Sequence, residues 1–399
     1  MLPDLDNLIR PSAGKPIARK IMLITGEESG DLYAGRLVSE LIRRIPGLVV
    51  EGIGGPRFRA AGGTSFYDIK QMAAVGFGGP LAKLGFYLGA LREVKARLAT
   101  GQYDGVVLID LPDFNLRVAK AADAAGTPVF YYVAPQFWAW RRYRIRTVQR
   151  FVDMMIVALP FEEEFYKGRG INARFFGHPL LDELPEGIDR ESLRREFGAG
   201  PGELLVGLMP GSRESEVERH LPMMLEALRL IRKRTPVRGV IACAESIDAT
   251  MVEGEAKRAR IESRVVRGKS WEVMNACDFL IAKSGTTTLQ AAIAGTPTML
   301  VYKVDMISYL IARALVHVKY AGLPNLVADE EVMPELLQGE ATAENIATVA
   351  LSYLTDPRKR MAQKEKLAGI RAALGERGAS ARAAEAMVSF LARMSADRR

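Results

Sequence analysis

Short, continuously apolar runs that end in Gly-, Pro-, Ser- or Asp-rich turns and then pass into helical periodicity recur along most of this 399-residue chain. A strand without polar alternation must be buried on both faces, and a strand followed by a helix returns parallel to itself. The pattern therefore predicts an α/β chain of two doubly wound, Rossmann-like domains. In the N-terminal half, strands are expected at Lys20–Thr25, Val49–Ile53, Val106–Ile109, Pro128–Val133 and Met154–Ala158, with Phe175–Pro179 running from strand into turn. Helical patterns follow at Leu32–Arg44, at Leu116–Ala125 and from Pro160. In the C-terminal half, Leu205–Leu208, Val240–Cys243, Phe279–Ala282 and Thr298–Tyr302 repeat the strand pattern, and a helix is expected with Pro222 at its first position. Pro, Gly and charge interrupt the rhythm over Leu184–Gly202, which marks a boundary. The expected domains are 20–184 and 203–341. A loosely ordered lead-in, 1–19, precedes them. Helices over 342–399 follow, packing back on the domains or on a partner subunit, the last with Ser380 as its N-cap.

Composition narrows the partners. An excess of 55 basic over 47 acidic residues favours anionic ones, and nucleotides, phospholipid surfaces and nucleic acid all qualify. The only cysteines, Cys243 and Cys277, lie in apolar settings without metal-ligand spacing, which fits a reducing cytoplasm. No run reaches the roughly 18–20 apolar residues of a spanning helix. Met72–Leu91 comes nearest but is broken by Pro80, Lys83 and glycines, and the first twenty residues lack the apolar region of a signal peptide.

Two loops stand out. Leu204–Arg213, LLVGLMPGSR, reads as a buried strand whose sharp turn at Gly211-Ser212 delivers Arg213 to a crevice mouth. Seventy residues later a strand empties into Lys283-Ser284-Gly285-Thr286-Thr287-Thr288 ahead of an apolar helix, the arrangement in which helix N–H groups, hydroxyls and a close-approach glycine hold phosphate. Each loop alone is an ordinary strand-to-helix turn; the pair reads as a diphosphate clamp. Gly26–Asp31 lacks the Gly-x-Gly-x-x-Gly spacing and is not read as a dinucleotide site. At the end of Val106–Ile109, Asp110 is either a general base or a structural cap, and Asp113 is equally suited to cap the next helix. Phe137, Trp138 and Trp140 run into Arg141, Arg142, Arg144, Arg146 and Arg150. That run is either an anchor for an anionic surface or ligand, or a solvated basic face beside core aromatics. Single-stranded nucleic acid is the weakest reading, because no nucleic-acid motif accompanies it. The segment Met72–Leu91, with Val75, Phe77, Leu81, Phe86 and Tyr87, is either a buried helix and loop or an apolar surface that dips into a membrane and admits acyl chains. No Asp-x-Asp pair is placed for a diphosphate-bound ion, so no metal and no other cofactor is expected.

At these residues the sequence resembles the lipid-A-disaccharide synthases, which condense two acylated glucosamine units. The matching blocks run in order from GEESGD at Gly26 through GIGGPR, IDLPDFN, YYVAPQFWAWR, LPFEEEFY, FFGHPLLDELP, LMPGSRESEVERHLP and KSGTTTLQAAIAGTP to LPNLVADEEVMPELLQ at Leu323. The resemblance implies a GT-B fold of two facing Rossmann-like domains with a cleft between them. It also implies a UDP-2,3-diacylglucosamine donor, a 2,3-diacylglucosamine 1-phosphate acceptor, inversion, peripheral attachment to the inner membrane and a homodimer. It makes Asp110 the base, Arg213 a UDP phosphate contact with Gly211 and Ser212, and Ser284, Gly285, Thr286, Thr287, Gln290 and Asn325 nucleotide-binding residues. The remaining blocks carry Gly26, Glu27, Ser29, Asp31, Arg57, Trp138 and His178 to the acceptor side, with Trp140, Arg141 and Arg142 joining the membrane surface. Residues alone would place His178 in a turn or core. Gln290 departs from the usual Glu, which implies weaker UDP binding, and Asp329-Glu330 replaces a common Gly-Arg. A hydrolysing UDP-N-acetylglucosamine 2-epimerase and a non-catalytic UDP-sugar-binding protein are the competing readings.

Overall fold

Two all-parallel sheets absorb the apolar runs. The computed structural model describes residues 19–74, 80–306, 309 and 318–397, and the side chains of 73, 74, 80–84 and 397 lie outside that description. The chain divides into a unit that ends at Asp182 and resumes at Glu376, and a unit over Glu183–Gly375.

In the first unit the order is β1 (Lys20–Ile24), α1 (Glu28–Arg44), β2 (Val49–Ile53), α2 (Pro56–Ala60), β3 (Thr64–Tyr67), α3 (Ile69–Ala74) and α4 (Pro80–Leu98). It continues with β4 (Gly105–Ile109), α5 (Pro112–Ala124), β5 (Val129–Tyr132), α6 (Ile145–Phe151), β6 (Met154–Val157), α7 (Pro160–Lys167), β7 (Ala173–Phe175) and α8 (Leu180–Glu183). The seven strands lie in the order β3-β2-β1-β4-β5-β6-β7. β1 and β4 are paired from Ile21↔Gly105 to Ile24↔Leu108. Both are buried along nearly their whole length, as their unbroken apolar composition requires.

The second unit runs through α9 (Arg190–Glu196), β8 (Leu204–Met209), α10 (Glu214–Arg232), β9 (Val237–Cys243), α11 (Ala249–Arg258), β10 (Ser263–Arg267), α12 (Ser270–Ala276), β11 (Phe279–Lys283), α13 (Thr286–Ala294) and β12 (Thr298–Tyr302). After it come α14 (Leu323–Ala328), β13 (Glu335–Leu337), α15 (Ala343–Leu354) and α16 (Pro357–Ala373), while α17 (Ala379–Asp397) belongs to the first unit. Its strand order is β10-β9-β8-β11-β12-β13, the same reversal beside the first strand. Leu208, Met224, Leu228, Ile241, Phe279 and Ile346 meet in its core. Asp278, just before β11, binds Arg190 at 2.6 Å, Arg194 at 2.8 Å and the Leu205 N–H at 2.8 Å, so one carboxylate ties α9 to the sheet.

Several local expectations change. β3, β10 and β13 carry few fully buried residues, so no apolar run announces them. The helix assigned to begin at Pro222 begins at Glu214, with Pro222 inside it. Tertiary burial of Val217, Leu221, Met224 and Leu225 on one face holds it, and the carbonyl that Pro222 leaves unpaired belongs to exposed Glu218. Ser380 does not cap α17; its hydroxyl meets the Tyr132 hydroxyl at 3.1 Å. Asp182 does the capping from outside the helix, accepting the N–H groups of Gly378 at 2.5 Å and Ser380 at 2.9 Å. This contact is where the returning chain is fastened to the first unit, with α17 packed along α1.

Asp182→Ala should lower stability to urea by about 1–2 kcal/mol, the scale of a lost helix cap; an unchanged unfolding midpoint would mean that packing alone seats α17.

Candidate functional site

In the first unit the carboxyl ends of β1 and β4 bring the loop Thr25–Glu28 against Asp110 and Leu111. Two glycines of the Gly26–Asp31 block make the approach possible. A Cβ on Gly26 would lie 2.1 Å from Leu111 Cδ1. One on Gly30 would lie 2.1 Å from Thr25 Oγ1 and 2.8 Å from Asp110 Oδ2. A hydroxyl and a carboxylate thus converge on the bare Cα of Gly30, at the start of α1. The Thr25 hydroxyl is fully buried and has no partner among the described residues. Burial, reinforced by the negative charge of Glu27, pushes the Asp110 carboxyl up to about 7. Among the described residues it has no ion pair, and a carboxyl with this pKa is half ionised near neutrality, as a proton acceptor requires. Glu27 is exposed at the N-cap position of α1, and Ser29 is half-buried in its first turn.

In the second unit the pairing of β8 with β11, ending at Met209↔Ala282, sets the two clamp loops side by side at the point where strand order reverses. Gly211 has φ +128°, and a Cβ there would be 2.6 Å from Glu216 Oε2. Ser212 donates its N–H to that carboxylate at 3.1 Å, and Arg213, at the N-cap of α10, leaves its side chain 71% exposed. Across from them Gly285, φ +150°, opens α13. Thr286 is exposed, Thr287 half-buried, and Gln290 stands one turn further along. The first N–H groups of such a helix have no intrahelical partner and offer themselves to an anion. Glu216, not singled out in the sequence, joins Lys283, read there only as the first residue of its loop: Lys283 Nζ donates to Glu216 Oε1 at 2.8 Å and lies 3.8 Å from where a Gly285 Cβ would be. Their signal was the Lys at the end of β11 and the Glu in the first turn of α10, the helix that follows β8. Ser284 is spent locally, donating to the Ala321 carbonyl at 3.0 Å.

Other expected site residues are structural. Asn325 is fully buried and uses its whole amide inside the unit: Nδ2 donates to Met333 O at 2.7 Å and Glu335 Oε1 at 2.8 Å, while Oδ1 accepts from Val332 at 2.9 Å and Met333 at 2.8 Å. No capacity remains for a nucleotide, which corrects the role implied by resemblance. Asp31 caps α2, accepting N–H groups of Gly55, Arg57 and Phe58. Arg57 itself is exposed on that helix. Trp138 is buried and donates to Glu162 at 2.7 Å. His178 is buried with Nδ1 accepting the Leu180 N–H, and burial lowers its pKa to about 4, so it is a neutral turn residue. Asp113 does not cap α5 but pairs with Arg141 and Arg144.

The expected membrane surface is only partly in view. Val75, Phe77 and the side chain of Leu81 lie outside the described residues. Phe86 packs edge-on to Tyr67 at 5.5 Å and Tyr87 to Phe114 at 6.0 Å, next to the Asp110 loop. Trp140 lies under Arg141 at 4.4 Å, and Arg142 donates to the Trp138 carbonyl. Among the described residues no helix is long and apolar enough to cross a membrane.

The sequence profile of the family described as lipid-A-disaccharide synthetase matches residues 21–389. The chain is 41% identical to a lipid-A-disaccharide synthase of Syntrophus aciditrophicus over 92% of its own length and 96% of the relative's. It is 40% identical to one of Geobacter metallireducens over 94% and 97%. Among solved structures it is similar to a UDP-GlcNAc 2-epimerase from Neisseria meningitidis bound to UDP-GlcNAc, with TM-score 0.64 and 12% identity over 93% of this chain and 100% of that one. It is also similar to the calicheamicin glycosyltransferase CalG4, with TM-score 0.60 and 15% identity over 94% and 99%. These structural likenesses show a shared fold of two parallel-sheet units.

Because the fold raises the Asp110 pKa, it favours the protonated carboxyl, and stability is lost as pH rises from about 4 to about 7. Asp110→Asn, whose side chain tolerates the same left-handed backbone, should match the parent Tm near pH 4 and exceed it increasingly up to pH 7. A pH-independent offset would place the carboxylate in a solvated setting.

Proposed function

The chain belongs to the lipid-A-disaccharide synthetase family, and on that premise we propose that it makes the lipid A disaccharide. It transfers 2,3-diacylglucosamine from its UDP derivative to the 6-hydroxyl of 2,3-diacylglucosamine 1-phosphate, giving the β-1,6-linked disaccharide 1-phosphate and UDP. The observation that carries this reading is sequence identity near 40% over almost the full length of proteins named lipid-A-disaccharide synthase. The epimerase likeness, at 12% identity, is one of fold alone.

The mechanism we infer is a single displacement with inversion. Asp110 takes the proton of the acceptor 6-hydroxyl as that oxygen bonds to the donor's anomeric carbon, and the bond from that carbon to UDP breaks. Its pKa of about 7 suits the step, since a base is most effective when its pKa lies near the working pH. The charge that develops on the leaving diphosphate is met by Arg213, Ser212 and the N-terminus of α13, with no metal ion. Gln290 offers the ribose one acceptor without charge. The apolar segment around Phe86 and Tyr87, together with Trp140 and Arg142, serves as the attachment to an anionic membrane surface on the cytoplasmic face of the inner membrane. A homodimer is also part of this proposal.

UDP release should depend on the acylated 1-phosphate acceptor, with a disaccharide 1-phosphate found by mass spectrometry. UDP formed from UDP-N-acetylglucosamine without acceptor would favour an epimerase, and UDP binding without turnover a binding protein. Asp110→Asn should cut turnover about 100-fold while leaving UDP affinity near wild type; parallel loss of both would make it structural. Arg213→Ala should weaken UDP by about 1.5–3 kcal/mol, and unchanged affinity would remove it from the clamp. Replacing Phe77 and Phe86 by Ser should release the folded protein from anionic vesicles, whereas retained co-sedimentation would move the attachment elsewhere.

A further inference from the structure

Asp110 and Leu111 are consecutive non-glycine residues in the left-handed region, with φ +51° and φ +41°. Such backbone is strained and persists only where surrounding contacts impose it. Two side chains impose it here. Asn115 Nδ2 donates to the carbonyls of Ile109 at 3.0 Å and Asp110 at 2.8 Å, and the Tyr131 hydroxyl donates to the same Asp110 carbonyl at 2.5 Å. Both residues are fully buried. The Asn115 Oδ1 has no partner among the described residues, the cost at which its Nδ2 is turned onto the two carbonyls. With its carbonyl pinned from two directions, Asp110 sets its Oδ2 only 2.8 Å from where a Cβ on Gly30 would be, in the gap that glycine leaves.

We propose that Asn115 and Tyr131 are positioning residues that hold Asp110 in its left-handed conformation, so that its carboxylate meets the acceptor hydroxyl. This rests on the reading of Asp110 as the base. Neither side chain has to touch substrate; both act on where the carboxylate stands. A misplacement of about 1 Å at such a group is enough to slow a reaction about 100-fold, so loosening one of three hydrogen bonds should cost about tenfold.

Tyr131→Phe removes only a hydroxyl and is the primary test; Asn115→Ser, which shortens the amide's reach, is the second. The result expected for both is a kcat about tenfold lower, an unchanged UDP affinity and acceptor KM, and an acidic limb of the kcat/KM profile displaced from that of wild type, because the carboxylate samples a more solvated position. Folded variants with wild-type kcat and pH profile would overturn the proposal, as would equal losses of kcat and UDP affinity, which mark a general structural role. Asp110→Asn run alongside separates the two layers: if it retains turnover, the base assignment fails, and if it does not while Tyr131→Phe is fully active, only the clamp fails.

Discussion

Parallel pairing of β1 with β4, and of β8 with β11, decides where every loop of functional interest emerges. In a doubly wound sheet the chain leaves the first strand toward one face and the fourth toward the other, so their carboxyl ends are not bridged by a crossover and stay open. In the first unit that opening gathers Thr25, Gly30 and Asp110. In the second it gathers Ser212, Arg213, Lys283 and Gly285. Gly26, Gly30 and Gly211 sit at these openings because side chains, those of Leu111, of Thr25 with Asp110, and of Glu216, come closer than a Cβ would allow.

The two openings differ in charge, and their chemistry follows from that difference. Burial of Asp110, reinforced by the nearby Glu27 carboxylate and with no ion-pair partner among the described residues, keeps a proton on Asp110 at higher pH than usual. In the second unit Glu216 is outnumbered by Lys283, Arg213 and the N–H groups at the start of α13, which leaves net positive potential for an anion. Other polar side chains are spent on backbone: buried Asp31 on α2, half-buried Asp182 on α17 and buried Asn325 on the turn before β13.

A fold of this kind accommodates epimerases and glycosyltransferases alike, and likeness of fold at 12–15% identity does not separate them. Identity near 40% over 92–94% of the chain does, because the relatives matched at that level are named lipid-A-disaccharide synthase.

The sequence by itself determined the architecture and the family. Uninterrupted apolar runs such as Leu204–Met209 and Phe279–Lys283 require burial on both faces, and that local requirement is enough to specify parallel strands and the turns at their ends. Edge strands β3, β10 and β13 escaped because partial exposure removes the same signal. What only the tertiary structure decided is which polar groups are free to act. Asn325 and Asp110 read alike as polar residues at the ends of apolar motifs, yet Asn325 is consumed by Val332, Met333 and Glu335, while Asp110 is left with a raised pKa beside Gly30. Burial and hydrogen-bond satisfaction are properties of residues brought together from distant parts of the chain, and local periodicity carries no record of them.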